Sequence, residues 1–305
     1  MTLCLTAPAT VLTADPPPAD APFIISIPDA RDCIPARAKA LGGRNKLHPL
    51  FAGSLVDASP ITSPAATPWT TISLESVEPG CSVTFNKRQS SFAGLSVKTA
   101  RMMSGLGPHE LAIWRELEAN PRWVDFDLQR IRTSWSDGHG GHSYTGDWVA
   151  VDDEGLVHAG EMKASASYYA DPAYNILMEE AASAYARVGI AFSRDTDDGV
   201  RGSQRRQLNV GRAFGDRFTA VPEARRGAIL AIVETAGGTA SLGELEEAAH
   251  TDPRVARAMV NSMMCAREVS YPLDARLDRD TPVTRPKTPD TIPDIRAIRH
   301  ELTNH

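Results

Sequence analysis

The sequence predicts an α/β fold, because helical and strand periodicities alternate in the middle of the chain. A second observation supports a further module, since residues 226–285 show helical patterns with short turns between them. The predicted elements of the α/β part are a helix at 108–119, strands at 124–135, 144–151 and 156–163, a helix at 172–188, and a strand beginning at 190–192. This αβββαβ order predicts a mixed sheet flanked by helices.

The two helices of this part carry signals at their ends. Pro108 stands at the start of the first, Glu110 lies in its first turn, and Asn120-Pro121 ends it. In the second, which ends at Gly189, apolar residues recur near one face: Ile176, Leu177, Ala181, Ala184, Tyr185 and Val188. Each helix is therefore expected to cover a sheet with one face.

The strands are indicated by alternation and by the turns between them. Val124, Phe126 and Leu128 alternate with aspartates. A glycine-rich turn at 136–142 and an acidic turn at 152–155 separate the strands that follow. Antiparallel hairpins are the expected connection.

Helix-start signals define the C-terminal module. Ser241 and Glu244 form a capping-box pattern, and Asp252-Pro253 reads as a cap followed by proline at the first helical position. Residues 269–271 and 281–283 are candidate strands of a small wing. Three short helices and a wing predict a winged helix, although any small helical bundle would show a similar pattern.

Composition divides the chain into five regions. Twelve of the 22 prolines lie in the first 80 residues, so we expect a largely disordered arm at 1–92, with a short strand at 23–27 and a short helix at 29–41 as candidates for local structure. The expected regions after the arm are the α/β core at 93–198, an arginine-rich linker at 199–225, the helical module at 226–285 and a disordered tail at 286–305.

Bulk properties exclude several classes. The net charge of −6 over 305 residues gives no overall basic signature, so binding to DNA would depend on local patches. The four cysteines are scattered and form no zinc-binding motif: Cys4, Cys33, Cys81 and Cys265. No apolar run is long enough for a transmembrane helix, and the N-terminus lacks the features of a signal peptide, so a cytoplasmic location is expected.

Three charged residues on neighbouring strands carry the chemistry. Glu161 and Lys163 are two apart in a predicted strand and project on one face, and a tight turn brings Asp147 near both. Two carboxylates beside an ammonium suit metal-dependent hydrolysis of a phosphodiester. The alternative is an ordinary surface hairpin with a Glu–Lys salt bridge.

Glu110 adds a third carboxylate. On the first helix it shares a side with Ile113, Trp114 and Leu117, which directs it towards the sheet that carries Asp147 and Glu161. The alternative is a first-turn acid favoured by the helix dipole.

With these residues in place, the stretch from about Gly94 to Phe192 resembles the PD-(D/E)xK nuclease superfamily, whose fold is restriction-endonuclease-like. It is most similar to the TnsA-like endonuclease subunits of heteromeric DNA transposition systems. The segments that carry the resemblance are HELAIWRELEANP around Glu110, Val124 to Gln129, Tyr144-Thr-Gly-Asp147-Trp148 and Glu161-Met-Lys163. The chain departs from the family pattern at Gly146, Trp148 and Arg130, none of which removes a charged group.

The resemblance implies a role for each position. Asp147 and Glu161 would be ligands of Mg²⁺, with Mn²⁺ as a substitute, and Glu110 and the Met162 carbonyl would complete the site. Lys163 would position the attacking water, and Gln129 would support the site. The implied activity is nicking of DNA at transposon ends, with an integrase-type transposase and an AAA+-type ATPase regulator as partners. Two alternatives stay open: a stand-alone restriction, repair or phage-type nuclease, and a non-catalytic DNA-binding scaffold.

Basic and aromatic residues provide weaker candidates for DNA binding. The predicted linker is rich in arginine, and the residues expected to contact phosphate are Arg201, Arg205, Arg206 and Arg212. A solvated linker is the equal alternative. Tyr168, Tyr169 and Tyr174 could stack on bases, although packing is the commoner role of such residues.

Overall fold

The computed structural model describes residues 71–77, 90–136 and 141–303, which form a mixed α/β protein. The predicted strand at 23–27 and helix at 29–41 lie outside these residues. The α-helices are α1 (Gly107–Ala119), α2 (Pro172–Arg187), α3 (Asp197–Arg201), α4 (Gln204–Asp216), α5 (Glu223–Thr235), α6 (Leu242–Ala249) and α7 (Pro253–Cys265), and a 3-10 helix covers Ala166–Ala170. No helix in the described part of the chain is long and apolar enough to cross a membrane.

Twelve strands are distributed over four sheets in the described residues. They are β1 (Thr71–Ser76), β2 (Ser91–Leu95), β3 (Met102–Leu106), β4 (Trp123–Leu128), β5 (Ile131–Ser136), β6 (Gly141–Thr145), β7 (Trp148–Asp152), β8 (Val157–Lys163), β9 (Ala191–Thr196), β10 (Thr239–Ser241), β11 (Pro282–Thr284) and β12 (Arg299–Thr303). Strands β2 and β3 form a hairpin immediately before α1.

The central sheet has the strand order β4-β7-β8-β9. Its first three strands are antiparallel, whereas β9 runs parallel to β8. Parallel neighbours require a crossover connection, and the segment containing α2 provides it. The register places Trp148 opposite Gly160 and Glu161 opposite Arg194.

Two of the predicted strands are each divided into two. The segment 124–135 separates into β4 and β5 at Gln129 and Arg130, and 144–151 separates into β6 and β7 at Gly146 and Asp147. β5 and β6 pair in a second, antiparallel sheet with the order β12-β1-β5-β6. Gln129 has a φ of 50°, which breaks the extended backbone, so the prediction of uninterrupted strands is wrong at this point.

Helices cover both faces of the central sheet. Leu117 of α1 lies in one hydrophobic core with Trp148, and Tyr185 of α2 lies in another with Val149. Successive side chains of β7 alternate between these cores, which buries the whole strand. The predicted apolar face of α2 is buried or partly buried except at Ile176, which is exposed.

The C-terminal module has its own core. α5, β10, α6 and α7 follow in order, β10 pairs with β11, and Ser270 forms a bridge with Thr284. The predicted capping box of Ser241 and Glu244 is confirmed. Asp252 caps α7 by accepting the N–H of Arg254 at 2.8 Å, which confirms the second predicted helix start.

The predicted linker at 199–225 is mostly helical. It contains α4, whose Val210 and Ala213 are buried in the core of the C-terminal module. Arg206 of α4 forms salt bridges with Glu116 of α1 at 2.5 Å and with Asp274 at 2.6 Å. The linker prediction is wrong here because the arginines are interspersed with apolar residues at helical spacing.

Both regions predicted to be disordered contribute a strand to the second sheet. β1 falls in the predicted arm and β12 in the predicted tail, and they pair with Ile72 opposite Leu302. Ile72, Leu74 and Ile295 are buried in the core that α2 covers. Backbone pairing and these apolar residues order segments whose composition indicated disorder, so that prediction is wrong for them.

Candidate functional site

Asp147 lies where the β6–β7 segment passes from one sheet to the other. Its N–H donates to the Gly160 carbonyl, and its own carbonyl accepts the N–H of Gln129, both at 2.9 Å. It therefore lies between the end of β4 and the middle of β8, one residue before β7 rather than inside a strand. The N–H of Met162 donates to Asp147 Oδ2 at 2.8 Å and fixes the carboxylate beside the Met162 peptide.

Strand β8 places Glu161 and Lys163 side by side. They are two residues apart on one face, and Lys163 Nζ forms a salt bridge with Glu161 Oε1. The Glu161 side chain is nearly inaccessible to solvent, whereas that of Lys163 is 28% exposed. The ammonium is thus the solvent-facing member of the pair.

The electrostatic environment of Asp147 reflects this grouping. Burial, followed by the charge of Glu161, raises the pKa of Asp147 to about 7, and Glu110 acts in the same direction. The Met162 N–H and Lys163 oppose the increase in pKa. Three carboxylates therefore influence one another, with Lys163 as the cation among them.

Glu110 is held at the N-terminal end of α1. Its Oε2 accepts the N–H of Leu106 at 3.0 Å, and the Gln129 side-chain amide lies 3.2 Å from both of its oxygens. The pKa of Glu110 is raised, mainly because the carboxyl group is buried. A Cβ on Gly105 would lie 2.7 Å from Glu110 Oε2, so the glycine leaves room for this carboxylate.

Gln129 combines a side-chain contact with an unusual backbone. Its φ of 50° falls in the left-handed region, which costs a non-glycine residue roughly 1 kcal/mol. Such outliers concentrate at functional sites. The bend at Gln129 turns the chain between the two sheets and brings its amide to Glu110.

Tyrosines surround Glu161, and the sequence analysis gave them no such role. Tyr144 donates its hydroxyl hydrogen bond to Glu161 Oε2, and Tyr174 donates to Oε1 at 2.5 Å. The Tyr169 hydroxyl lies 2.9 Å from the Glu161 carbonyl and 2.8 Å from that of Asp195. Burial raises the pKa of all three hydroxyls, which keeps them protonated as donors.

Asp195 of β9 is a further acid near the site, partly buried, that the sequence analysis missed. It accepts hydrogen bonds from Trp148 Nε1 at 3.0 Å and from Ser193 Oγ at 2.7 Å. Tyr144 belongs to the Tyr-Thr-Gly-Asp segment that carried the resemblance, so a signal for it was present. Asp195 had none, because its contact depends on the parallel pairing of β8 with β9.

The donor atoms suit a hard divalent cation in their chemistry. Glu110, Asp147 and Glu161 offer carboxylate oxygens, which Mg²⁺ and Mn²⁺ prefer, and a cation would relieve their mutual repulsion. Yet within the described ranges no three His, Cys, Asp or Glu side chains form a ready metal-binding group. Glu161 Oε1 accepts hydrogen bonds from Tyr174 and Lys163, and Oε2 accepts one from Tyr144, so a cation would use the remaining lone pair of Oε2 or displace a donor.

The four arginines expected to contact DNA have different surroundings. Arg206 is occupied by Glu116 and Asp274, and Arg201 forms an ion pair with Asp197 at 2.7 Å. Arg205 and Arg212 are exposed on α4. Arg206 is therefore a structural residue, and Arg205 and Arg212 remain available to a ligand.

Comparison with known proteins does not assign the chain to a family. No protein-family model matches the chain. No curated protein matches it either.

Proposed function

We propose that this protein is a divalent-metal-dependent DNA endonuclease with its active site at the bend between the two sheets. The observation that carries the proposal is the grouping of Glu110, Asp147, Glu161 and Lys163, which come from α1, the β6–β7 connection and β8. Buried carboxylates that repel one another are costly to a fold, and their placement beside a lysine favours a cation-binding role.

Each residue has a defined part in this proposal. A bound Mg²⁺ or Mn²⁺ would polarise the scissile phosphate and lower the pKa of a water molecule. Asp147 and Glu161 would hold the ion, with Glu110 directly or through water, and the Met162 carbonyl as a further ligand. Lys163 would position the attacking water and balance negative charge on the phosphate, and Gln129 would orient Glu110.

The fold and module order support a narrower assignment within this proposal. The antiparallel β4-β7-β8 strands followed by α2 and a parallel β9 have the order expected of a restriction-endonuclease-like core. The helix-strand-helix-helix order from α5 to α7, with β11, supports the predicted winged helix. We therefore propose a TnsA-like subunit that nicks transposon ends with an integrase-type transposase and an AAA+-type ATPase.

Metal binding is the first test, because a subunit that depends on a partner would show no cleavage alone. Calorimetry with Mn²⁺ should show saturable binding by the wild type and binding weakened roughly tenfold or more by Glu161→Gln. Asp290→Asn removes an exposed carboxylate far along the chain and should bind like the wild type. Absence of wild-type binding, with DNA present as well as absent, would count against the proposal.

Cleavage is the second test. Asp147→Asn should reduce nicking of supercoiled plasmid by roughly 10²-fold or more, because it removes a charged ligand at the reacting centre. Asp290→Asn serves again as the control. Cleavage by wild-type protein without partners would favour a stand-alone nuclease. Full nicking by Asp147→Asn would remove this residue from the site.

One observation favours a non-catalytic scaffold as the second candidate. Tyr144, Tyr174 and Lys163 together satisfy the Glu161 carboxylate, as in a purely structural network. DNA binding by the wild type that persists unchanged in Glu161→Gln, without any metal binding, would support the scaffold.

A further inference from the structure

Two arginines share one aromatic ring where α1 meets the end of α4. The guanidinium carbon of Arg115 lies 5.7 Å from the centre of the Phe214 ring, and that of Arg217 lies 3.9 Å from it. The Arg217 guanidinium also lies 5.5 Å from Trp114 and 4.3 Å from Phe218. The aromatic rings thus hold two positive charges close together.

Neither arginine has an acidic partner among the described residues. Other arginines of α3 and α4 do, since Arg201 contacts Asp197 and Arg206 contacts Glu116. For Arg115 and Arg217, no described carboxylate lies within 4.0 Å. Arg217 Nε is buried without a hydrogen-bond acceptor, although Nη1 donates to the Phe214 carbonyl at 2.6 Å.

The charges of this pair are poorly compensated. Burial is the main cause that lowers the pKa of both guanidinium groups, and a neighbouring arginine lowers each further. Glu118 is the acid that acts most favourably on Arg217, but the two form no ion pair within 4.0 Å, and Glu118 Oε2 and Arg217 Nε are both buried without a hydrogen-bond partner. Partly buried like charges without counter-ions are costly, and a bound anion would offset that cost.

The Phe218 ring indicates which kind of anion this site would bind. The planar guanidinium fork matches phosphate oxygens, and an aromatic ring offers a surface on which a base can stack. Phe218 is 53% exposed, although it is large and apolar, and it adjoins Arg217. We propose that Arg115, Arg217 and Phe218 bind a nucleic-acid strand, with the guanidinium groups on its phosphates and the Phe218 ring on a base.

The pair lies on the same helix as one of the carboxylates but on a different face. Arg115 follows Glu110 by five residues on α1, which is about 8 Å along the helix axis and about 140° around it. Arg115 contacts Phe214, whereas Glu110 contacts Gln129, so the arginine pair forms a surface of its own. The inference rests on the proposed function for DNA as the substrate, and it adds a second surface that contacts the nucleic acid.

Binding in EDTA tests the arginines without cleavage. Fluorescence anisotropy with labelled single-stranded DNA should show about tenfold weaker binding by Arg115→Gln, and a slope of log K against log salt smaller by about 0.7. Arg187→Gln is the matched control, because it removes the same charge from an exposed position at the end of α2, on the other side of the central sheet. Equal weakening by both variants would overturn the proposal.

The Phe218→Ala variant distinguishes binding of a nucleic-acid strand from binding of a simple anion. It also tests the proposal if the Arg115→Gln variant does not fold. The wild type should bind a base-bearing strand several-fold more tightly than an abasic strand of equal length, and Phe218→Ala should lose that preference. Equal binding of both strands by the wild type would mean a general phosphate site and would overturn the proposal. Unchanged preference in Phe218→Ala would overturn it as well.

The two proposals can fail separately. Weaker DNA binding by Arg115→Gln, together with no metal binding or nicking by the wild type, would retain the strand-binding surface and remove the nuclease. Metal-dependent nicking by the wild type, together with unchanged DNA binding by Arg115→Gln, would retain the nuclease and remove this surface.

Discussion

At the scale of single residues, Gln129 shows how a backbone conformation and a side chain can serve one site. Its left-handed φ makes the chain turn between the sheets, and its amide contacts both oxygens of Glu110. Glycine would adopt the same backbone without steric cost, but it would remove the amide. The residue therefore trades some stability for an interaction with the carboxylate.

This predicts a separable pair of effects. Gln129→Gly should be more stable than Gln129→Ala by about 1 kcal/mol, because only alanine retains the backbone strain. Both variants lose the contact with Glu110, so both should bind Mn²⁺ less tightly than the wild type. Urea unfolding and calorimetry measure the two effects. Ala100 also has a positive φ, of 54°, and lies away from these carboxylates in the β2–β3 turn, so Ala100→Gly should change stability without changing Mn²⁺ affinity. Equal stability of the two Gln129 variants would contradict the strain.

At the scale of elements, the ion pair between α4 and α1 joins the two halves of the described structure. The Glu116 side chain is 1% exposed and that of Arg206 is 14% exposed. A buried carboxylate that loses its partner keeps its desolvation cost. The contact therefore matters more for the docking of α4 on α1 than a surface salt bridge would.

Arg206→Ala should accordingly lower the free energy of unfolding by roughly 3 kcal/mol, because it leaves Glu116 buried and unpaired. Arg205 is its exposed neighbour on the same helix, and Arg205→Ala should change stability by less than about 0.5 kcal/mol. Denaturant unfolding of both variants makes the comparison. Equal losses of unfolding free energy in the two variants would show that any substitution on this helix, rather than loss of the ion pair, lowers the stability.

At the scale of the whole molecule, Asp195 makes global stability depend on pH. Burial is the main cause that raises its pKa from 3.8 to about 6, against the hydrogen bonds from Ser193 and Trp148. The folded state thus binds this proton more tightly than the unfolded state. The resulting stabilisation is fully present below about pH 4 and is lost as the pH rises through about 6.

Asp195→Asn should remove this contribution, because asparagine can still accept a hydrogen bond but does not ionise. The rise of the Asp195 pKa from 3.8 to about 6 corresponds to about 3 kcal/mol. We expect roughly 1 to 2 kcal/mol after solvent screening, since the residue is only partly buried. Urea unfolding from pH 4 to pH 7.5 should show the variant gaining on the wild type as the pH rises. A constant difference between them would contradict the assignment, and Asp290→Asn should keep the wild-type slope.

The sequence was sufficient to predict the α/β class, the helix starts at Ser241 and Asp252, and the adjacency of Glu161 to Lys163, because these depend on periodicity and local spacing. It did not predict the division of the long strands, because a positive φ at Gln129 leaves no compositional signal. It missed the Asp195 contacts and the pairing of β1 with β12, since both depend on residues far apart in the chain. The prediction of a linker where α4 lies gave the arginine content more weight than the helical spacing of the apolar residues.

The pairing of β1 with β12 has a consequence for synthesis on the ribosome. Over two hundred residues separate the paired strands. The edge of β1 that pairs with β12 therefore lacks this partner until residues 299–303 have emerged from the ribosome. An unpaired strand edge is a site for association with other chains. The nascent protein therefore passes through a stage at which crowding on one messenger favours association between copies, and chaperones that shield strand edges would increase its yield.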